Sequence, residues 1–273
     1  MRNENADNER KKHHRGRRRK KKGNIIANVI LVIALIVFCV SGFQLFKIGK
    51  GYLDGRSEYD KVRKLAVTDD KNKNDKDKNH SEDGDDTFSV DFQKLLEINP
   101  DTIAWIRFPD EPSQINYPVV QGEDNDFYLY RFIDGTYNGS GSLFVDYRCT
   151  GDFSGELSVI YGHHMQNGTM LASICNYGKQ EYYDAHPVLY LNTPVQNYRV
   201  EVFSGFITAA DSSAYTWDFT SDAEYAAYLE KMKGFSDFDC DVEVGTGDHI
   251  IMLSTCTYEY DDSRFVVQAV RKQ

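Results

Sequence analysis

Cys256 closes the run Ile250-Ile251-Met252-Leu253-Ser254-Thr255-Cys256, and Arg264 follows eight positions later, after the polar stretch 257–263. A second apolar run, Phe265-Val266-Val267-Gln268-Ala269-Val270, starts directly after that arginine. If the two runs pair as antiparallel strands, the end of the first faces the start of the second. A guanidinium about 4 Å from a thiolate favours it by up to about 4 kcal/mol at an effective dielectric near 20. The same group could donate to an oxyanion on a substrate carbonyl. A free cysteine is also a common small core residue. The pattern alone therefore leaves Cys256 open as nucleophile or packing. Cys149, Cys175 and Cys240 lack the strand–loop–arginine setting and read as packing residues.

A nucleophilic thiol needs a base. Of the seven histidines, His13, His14 and His80 lie in charged tail or linker sequence. His249 starts the run that ends in Cys256, which puts it roughly 20 Å away along a strand. His186 precedes Pro187 in a loop. His163 and His164 remain; they follow Leu157-Ser158-Val159-Ile160-Tyr161-Gly162, where Gly162 would let the backbone turn and present an imidazole at a rim. Residue chemistry favours either one as the partner of Cys256.

The elements that must position these groups are mostly strands. Runs rich in Val, Ile, Tyr and Phe occur over 103–108, 115–120, 142–145, 157–161, 188–191, 198–209, 249–254 and 265–271, separated by Gly, Asn, Asp and Pro. Residues 90–96 have helical spacing, and Asn99-Pro100-Asp101 reads as a turn or the start of a second short helix. Residues 169–177 form a short helical interruption. Residues 221–233 form a longer one, with Ser221 as N-cap and Glu224 completing a capping box. Many strands with few helices predict a mainly β fold, a closed or nearly closed barrel with added helices.

Charge divides the chain. Residues 1–22 carry eleven Lys/Arg and three Asp/Glu, a net of +8; the rest carries 21 basic and 39 acidic groups, a net of −18. Ile25–Phe46 has no charged residue. Twenty-two residues of helix span about 33 Å, enough for a hydrocarbon core of about 30 Å. Basic residues before such a segment act as a topology signal, keeping the amino end cytoplasmic. A nucleic-acid partner is therefore not expected. A cleaved signal peptide would have a shorter apolar core and a small-residue exit, unlike Phe43-Gln44-Leu45-Phe46. The expected layout is a cytoplasmic basic tail (1–23), a membrane helix (24–46), an extracellular juxtamembrane segment and flexible charged stalk (47–87) and a folded domain (88–273), with helix continuing through about 66. The region 69–86 is nearly devoid of apolar side chains. Its Asp70-x-Asn72-x-Asn74 pattern lacks the glycine and glutamate of a calcium loop. The cysteines have no C-x-x-C spacing, so neither zinc nor a dense disulfide framework is expected.

Several separated elements together resemble the sortases, the cysteine transpeptidases of Gram-positive cell surfaces. They are Leu253-Ser254-Thr255-Cys256, Arg264, and Tyr161-Gly162-His163-His164-Met165. Asn99-Pro100-Asp101-Thr102-Ile103-Ala104-Trp105-Ile106, Tyr117-Pro118-Val119-Val120-Gln121-Gly122 and the segment from Cys256 to Val267 are similar to class B. The resemblance covers about residues 88–273. It implies an eight-stranded barrel with N-terminal helices and one long helix before the last two strands. It implies Cys256 as nucleophile, His163 (directly after the glycine) as general acid/base and Arg264 as oxyanion and substrate stabiliser. Ser254, Thr255 and Tyr258 are implied as substrate contacts. Met252 departs from the pattern, which usually has Thr there. The implied reaction cleaves a secreted protein after the Thr of a C-terminal sorting motif. The thioacyl-enzyme passes to an amine of a peptidoglycan precursor or to a pilin lysine, with no cofactor or metal. A tethered binding module with an inert thiol, and a cysteine peptidase using water, are the competing readings.

Overall fold

The computed structural model describes residues 20–69, 88–108 and 115–271. The basic tail before residue 20 and the charged stretch 70–87 lie outside the described residues. The chain divides into two compact units, Met1–Gly49 and Lys50–Gln273.

Helix α1 (Lys20–Ala66) supplies the described part of the first unit and the start of the second. Its Ile, Leu, Val and Phe side chains between 25 and 46 are exposed all round the helix. Such a surface suits hydrocarbon rather than water. Among the described residues, this is the one helix long and apolar enough to cross a membrane, by length and composition.

The second unit begins earlier than residue 88. Tyr59, Val62 and Ala66, spaced three and four apart on one face of α1, are buried. Tyr59 packs edge-on against Tyr117 and Phe132, and its hydroxyl donates to the Gly141 carbonyl at 2.5 Å. Residues 50–69 are therefore part of the compact unit rather than stalk. An amphipathic stripe of three residues outweighs the polar average of the segment around it. Strand β1 (Val67–Asp69) then pairs antiparallel with β2 (Phe88–Val90), Val67 opposite Val90. Helix α2 (Phe92–Ile98) is capped by Asp91, whose carboxylate accepts the Lys94 N–H at 3.2 Å.

The eight expected strands all form. They are β3 (Thr102–Arg107), β4 (Asn116–Val120), β5 (Leu143–Val145), β6 (Leu157–Tyr161), β7 (Val188–Asn192), β8 (Asn197–Ala209), β9 (His249–Cys256) and β10 (Ser263–Arg271). They close into a barrel in the order β10-β8-β7-β3-β4-β5-β6-β9. The pairs β4–β5 and β6–β9 are parallel and the other six antiparallel. The helical interruption expected over 169–177 is a 3-10 helix over Ala172–Gly178, followed by α3 (Gln180–Ala185). Helix α4 (Asp222–Phe235) precedes the last two strands. Ser221 caps it through the Glu224 N–H at 3.3 Å, while the Glu224 carboxylate reaches back to Thr220.

Alternation along the strands sorts the core into three layers. Ile160, Ile251, Leu253, Phe265 and Val267 point into the barrel. Val159, Ile250, Met252 and Val266 point outward beneath Tyr225, Leu229 and Met232 of α4. Trp105, Val120 and Phe144 point outward beneath Leu95 of α2 and Val62 of α1. Cys256 and Ser254 continue the outward row of Ile250 and Met252. The site thus lies on the outer wall of the barrel, beyond the edge of the α4 cover.

Candidate active site

Strands β9 and β10 run further than the apolar pattern suggests, and they take Cys256 and Arg264 into the ladder. The two are direct cross-strand partners. Opposite residues of an antiparallel pair project to the same face. The thiol and the guanidinium are therefore neighbours by register. Cys256 is exposed and Arg264 is half-buried.

His163 follows β6, the other neighbour of β9. In the parallel β6–β9 pair, Tyr161 lies opposite Ser254. Pairing continues past β6, because the Gly162 N–H donates to the Ser254 carbonyl at 3.2 Å. Extended by two residues, that register would place His163 in the row of Cys256. The His163 Nε2–H donates to the Leu129 carbonyl at 2.7 Å. A carbonyl only accepts, so the neutral ring keeps its proton on Nε2 and leaves Nδ1 with a free lone pair. The Tyr130 ring lies 5.5 Å from the imidazole and helps hold its plane.

Leu129 belongs to a 3-10 turn, Tyr128–Tyr130, which is itself pinned. The Tyr128 hydroxyl donates to Asp101 at 2.6 Å and accepts from the Asn99 side chain at 2.7 Å. The Asn99-Pro100-Asp101 turn thus fixes the carbonyl that orients His163. Gly141 lets the chain pass that carbonyl. Its φ is +57°, and a Cβ there would sit 2.3 Å from the Leu129 oxygen.

His164 is turned differently. Its Nδ1–H donates to the Cys256 carbonyl at 2.9 Å, and the Cys175 sulfur lies 3.6 Å from the same nitrogen. It braces the strand end that carries the thiol. Burial pushes the Cys175 thiol up to about 11, so Cys175 holds its proton at neutral pH. Burial also pushes Cys149 up.

Arranged this way, the site offers an exposed thiol, a permanent cation on one neighbouring strand and an imidazole with a free ring nitrogen on the other. That set can attack an acyl carbonyl, stabilise the oxyanion and exchange a proton with a leaving or entering amine. No family model matches the chain. Sortase B of Listeria monocytogenes is 34% identical over 180 residues, covering 65% of this chain and 72% of that protein.

The chain belongs to the sortase B family.

Solved sortase B structures share its barrel. Sortase B from Bacillus anthracis in complex with AAEK1 superposes with a TM-score of 0.68 at 32% identity, covering 83% of this chain and all of that one. The Staphylococcus aureus sortase B–substrate complex gives 0.63 at 31%, covering 67% of this chain and 85% of that chain. Family members are cysteine transpeptidases, and the eight-stranded barrel expected from the resemblance is the one observed.

Ser254 and Thr255, implied by the resemblance as substrate contacts, lie directly before the thiol on β9. Both side chains are buried. Ser254 Oγ is 2.8 Å from the Tyr215 hydroxyl, and Thr255 Oγ1 donates to the Gly162 carbonyl at 2.8 Å. Their hydroxyls serve the protein rather than solvent, because each strand residue just before Cys256 already has a neighbour on its own face. Tyr258 is 70% exposed, with its ring 5.2 Å from that of His164 and its hydroxyl donating to the His164 carbonyl at 3.4 Å. Met252 is buried under α4, four residues from the thiol.

Leu129 and Tyr215 carry no sequence signal. The first acts through a backbone carbonyl, and the second lies in the loop between β8 and α4. Burial pushes the Tyr215 hydroxyl up to about 12, so it stays neutral.

Gly162 serves space rather than a left-handed backbone. A Cβ there would lie 2.3 Å from Leu143 Cδ2 and 2.8 Å from Leu171 Cγ. Gly162→Ala is expected to cost about 1–3 kcal/mol by overpacking. It should also push His163 out of the Cys256 row. Denaturant unfolding measures the first effect and peptide turnover the second; an unchanged unfolding midpoint would refute the packing argument.

Proposed function

We propose that this sortase B relative is a membrane-anchored transpeptidase in which Cys256 is the nucleophile, His163 the acid/base and Arg264 the oxyanion and substrate stabiliser. The single observation that supports this best is Arg264 directly opposite Cys256 across the β9–β10 ladder, with His163 two residues beyond the Tyr161–Ser254 pair of β6 and β9. The Cys256 thiol gives its proton to Nδ1 of His163, and the resulting thiolate attacks the carbonyl carbon of Thr in a sorting motif. The tetrahedral oxyanion forms beside the Arg264 guanidinium. The bond after Thr breaks, the leaving amine takes a proton from His163, and a thioester to Cys256 remains. An acceptor amine then gives its proton to His163 and attacks the thioester, and the thiolate leaves. Tyr258 contributes to the peptide site.

The acceptor we propose is an amine of a peptidoglycan precursor. A pilin lysine is the alternative, and both present the same primary amine to the thioester. The basic tail to about residue 23 is cytoplasmic, residues 24–46 cross the membrane, and the rest is extracellular, with the catalytic domain of 88–273 joined in one compact unit by residues 50–69. Tethering beside membrane-held substrates raises their effective concentration.

Mass spectrometry of products from a panel of sorting peptides, with and without added amine, tests the reading. The expected result is cleavage after Thr and an amine-dependent ligation product. Hydrolysed peptide alone in both arms would indicate a cysteine peptidase, and no cleavage at all a binding module.

Arg264→Lys keeps the charge but loses the planar fork that two acceptors need. Removing a preorganised oxyanion donor costs about 10²–10³ in kcat. Steady-state kinetics should show a loss in that range carried by kcat; wild-type turnover would remove Arg264 from the mechanism.

A further inference from the structure

Below the row of Cys256 and His163, the described structure buries an ionised carboxylate that the mechanism does not use. Asp146 follows β5 directly, and its side chain is 0% exposed. Five donors meet it. Arg148 gives Nε at 2.8 Å, Nη2 at 2.8 Å and its backbone N–H at 3.0 Å. Asn125 Nδ2 donates at 2.9 Å and the Tyr161 hydroxyl at 3.0 Å. Burial pushes the carboxyl up, but the bonds from Arg148 and Asn125 outweigh it and hold the pKa below the usual range.

The partners lead to both walls of the site. Asn125 is doubly held, because its Oδ1 also accepts the Tyr147 N–H at 3.2 Å. It stands four residues before Leu129, whose carbonyl orients His163. On the other side, the Arg148 guanidinium lies 3.6 Å over the Trp217 ring. Trp217 stacks against Tyr215, whose hydroxyl meets Ser254 two residues before the thiol. Tyr161, bound to the same carboxylate, precedes His163 by two residues and stacks on Tyr215. An apolar residue would fill this volume at lower desolvation cost. It would not hold two separate loops in fixed directions.

We propose that Asp146 and Arg148 form a clamp that sets the spacing between the 121–130 segment and the 212–219 loop, and so shapes the peptide groove over Cys256. They are positioning residues and touch no reacting atom. The activity readout rests on the sortase reading of the site; the exchange readout below does not.

Asp146→Asn and Arg148→Lys in the full chain test the clamp. In peptide cleavage, KM is expected to rise about tenfold or more, with kcat within about threefold. Alkylation of Cys256 by iodoacetamide, which needs no groove, should stay within about twofold. Amide hydrogen exchange should speed up in 121–130 and 212–219 while β9 and β10 keep their protection. An unchanged KM, or exchange rising uniformly through the barrel, would overturn the proposal. If Asp146→Asn fails to fold, Trp217→Ala at the half-buried end of the clamp must still raise KM, and an unchanged KM there also overturns it. If the wild type cleaves no peptide, the sortase reading falls, and loop-selective exchange alone decides the clamp.

Discussion

Cys256→Ala is expected to abolish peptide cleavage while leaving the fold intact. Removal of a covalent nucleophile in an enzyme whose groups act as a unit lowers the rate by about 10⁶, to background in most assays. The side chain is exposed at the end of β9, so its loss opens no cavity. Exposed substitutions of this kind change stability by about 0.5 kcal/mol or less. The thermal midpoint should therefore stay within about 2 °C of wild type. The pair of measurements is decisive: cleavage retained by a folded variant would remove Cys256 from the chemistry. Thiol labelling gives an independent check. Cys149 and Cys175 are partly buried with raised pKa values, so a small alkylating reagent should reach Cys256 before either. Labelling of Cys256 only after denaturation would favour an inert thiol.

His163→Gln should lower kcat by about 10²–10⁴, the usual contribution of a positioned general acid/base. The amide can still donate to the Leu129 carbonyl, so the ring's anchor is imitated while its proton transfer is lost. His164→Gln is the matched control. Its imidazole donates to the backbone of Cys256 and bears on the strand end, so a loss of about tenfold or less is expected. Kinetics of the two variants side by side separate the neighbours. A larger loss at His164 than at His163 would reverse their assignment.

The two histidines show where the sequence was sufficient and where it was not. A Gly-His-His run after an apolar strand placed both rings at the end of β6. Nothing local distinguished them until the family resemblance chose the residue after the glycine. The structure gives the two different partners: His163 bonds the Leu129 carbonyl, and His164 bonds the Cys256 carbonyl beside Cys175. Gly162 is legible in the sequence as a special residue, and the structure adds a packing reason for it. The glycine makes room for Leu143 and Leu171.

The segment 50–69 was hidden for a different reason. Its buried face rests on Tyr59, Val62 and Ala66 among charged neighbours, and only the barrel surface gives those three something to cover. Ser254 and Thr255 were visible as motif residues. That their hydroxyls turn to Tyr215 and Gly162 depends on two strands far away in the chain.

By itself, the sequence determined the elements: eight apolar runs, the capped helix before the last pair, the uncharged amino-terminal span, and a cysteine and an arginine at facing ends of one hairpin. Those features follow from local periodicity and short loops, which neighbouring residues settle. Only the tertiary structure decided which side of the barrel Cys256 faces, that the Leu129 carbonyl holds His163, and that the buried Asp146 lies beneath Tyr161. Each of these depends on register between strands distant in sequence, where a shift of one residue would turn every side chain to the opposite face.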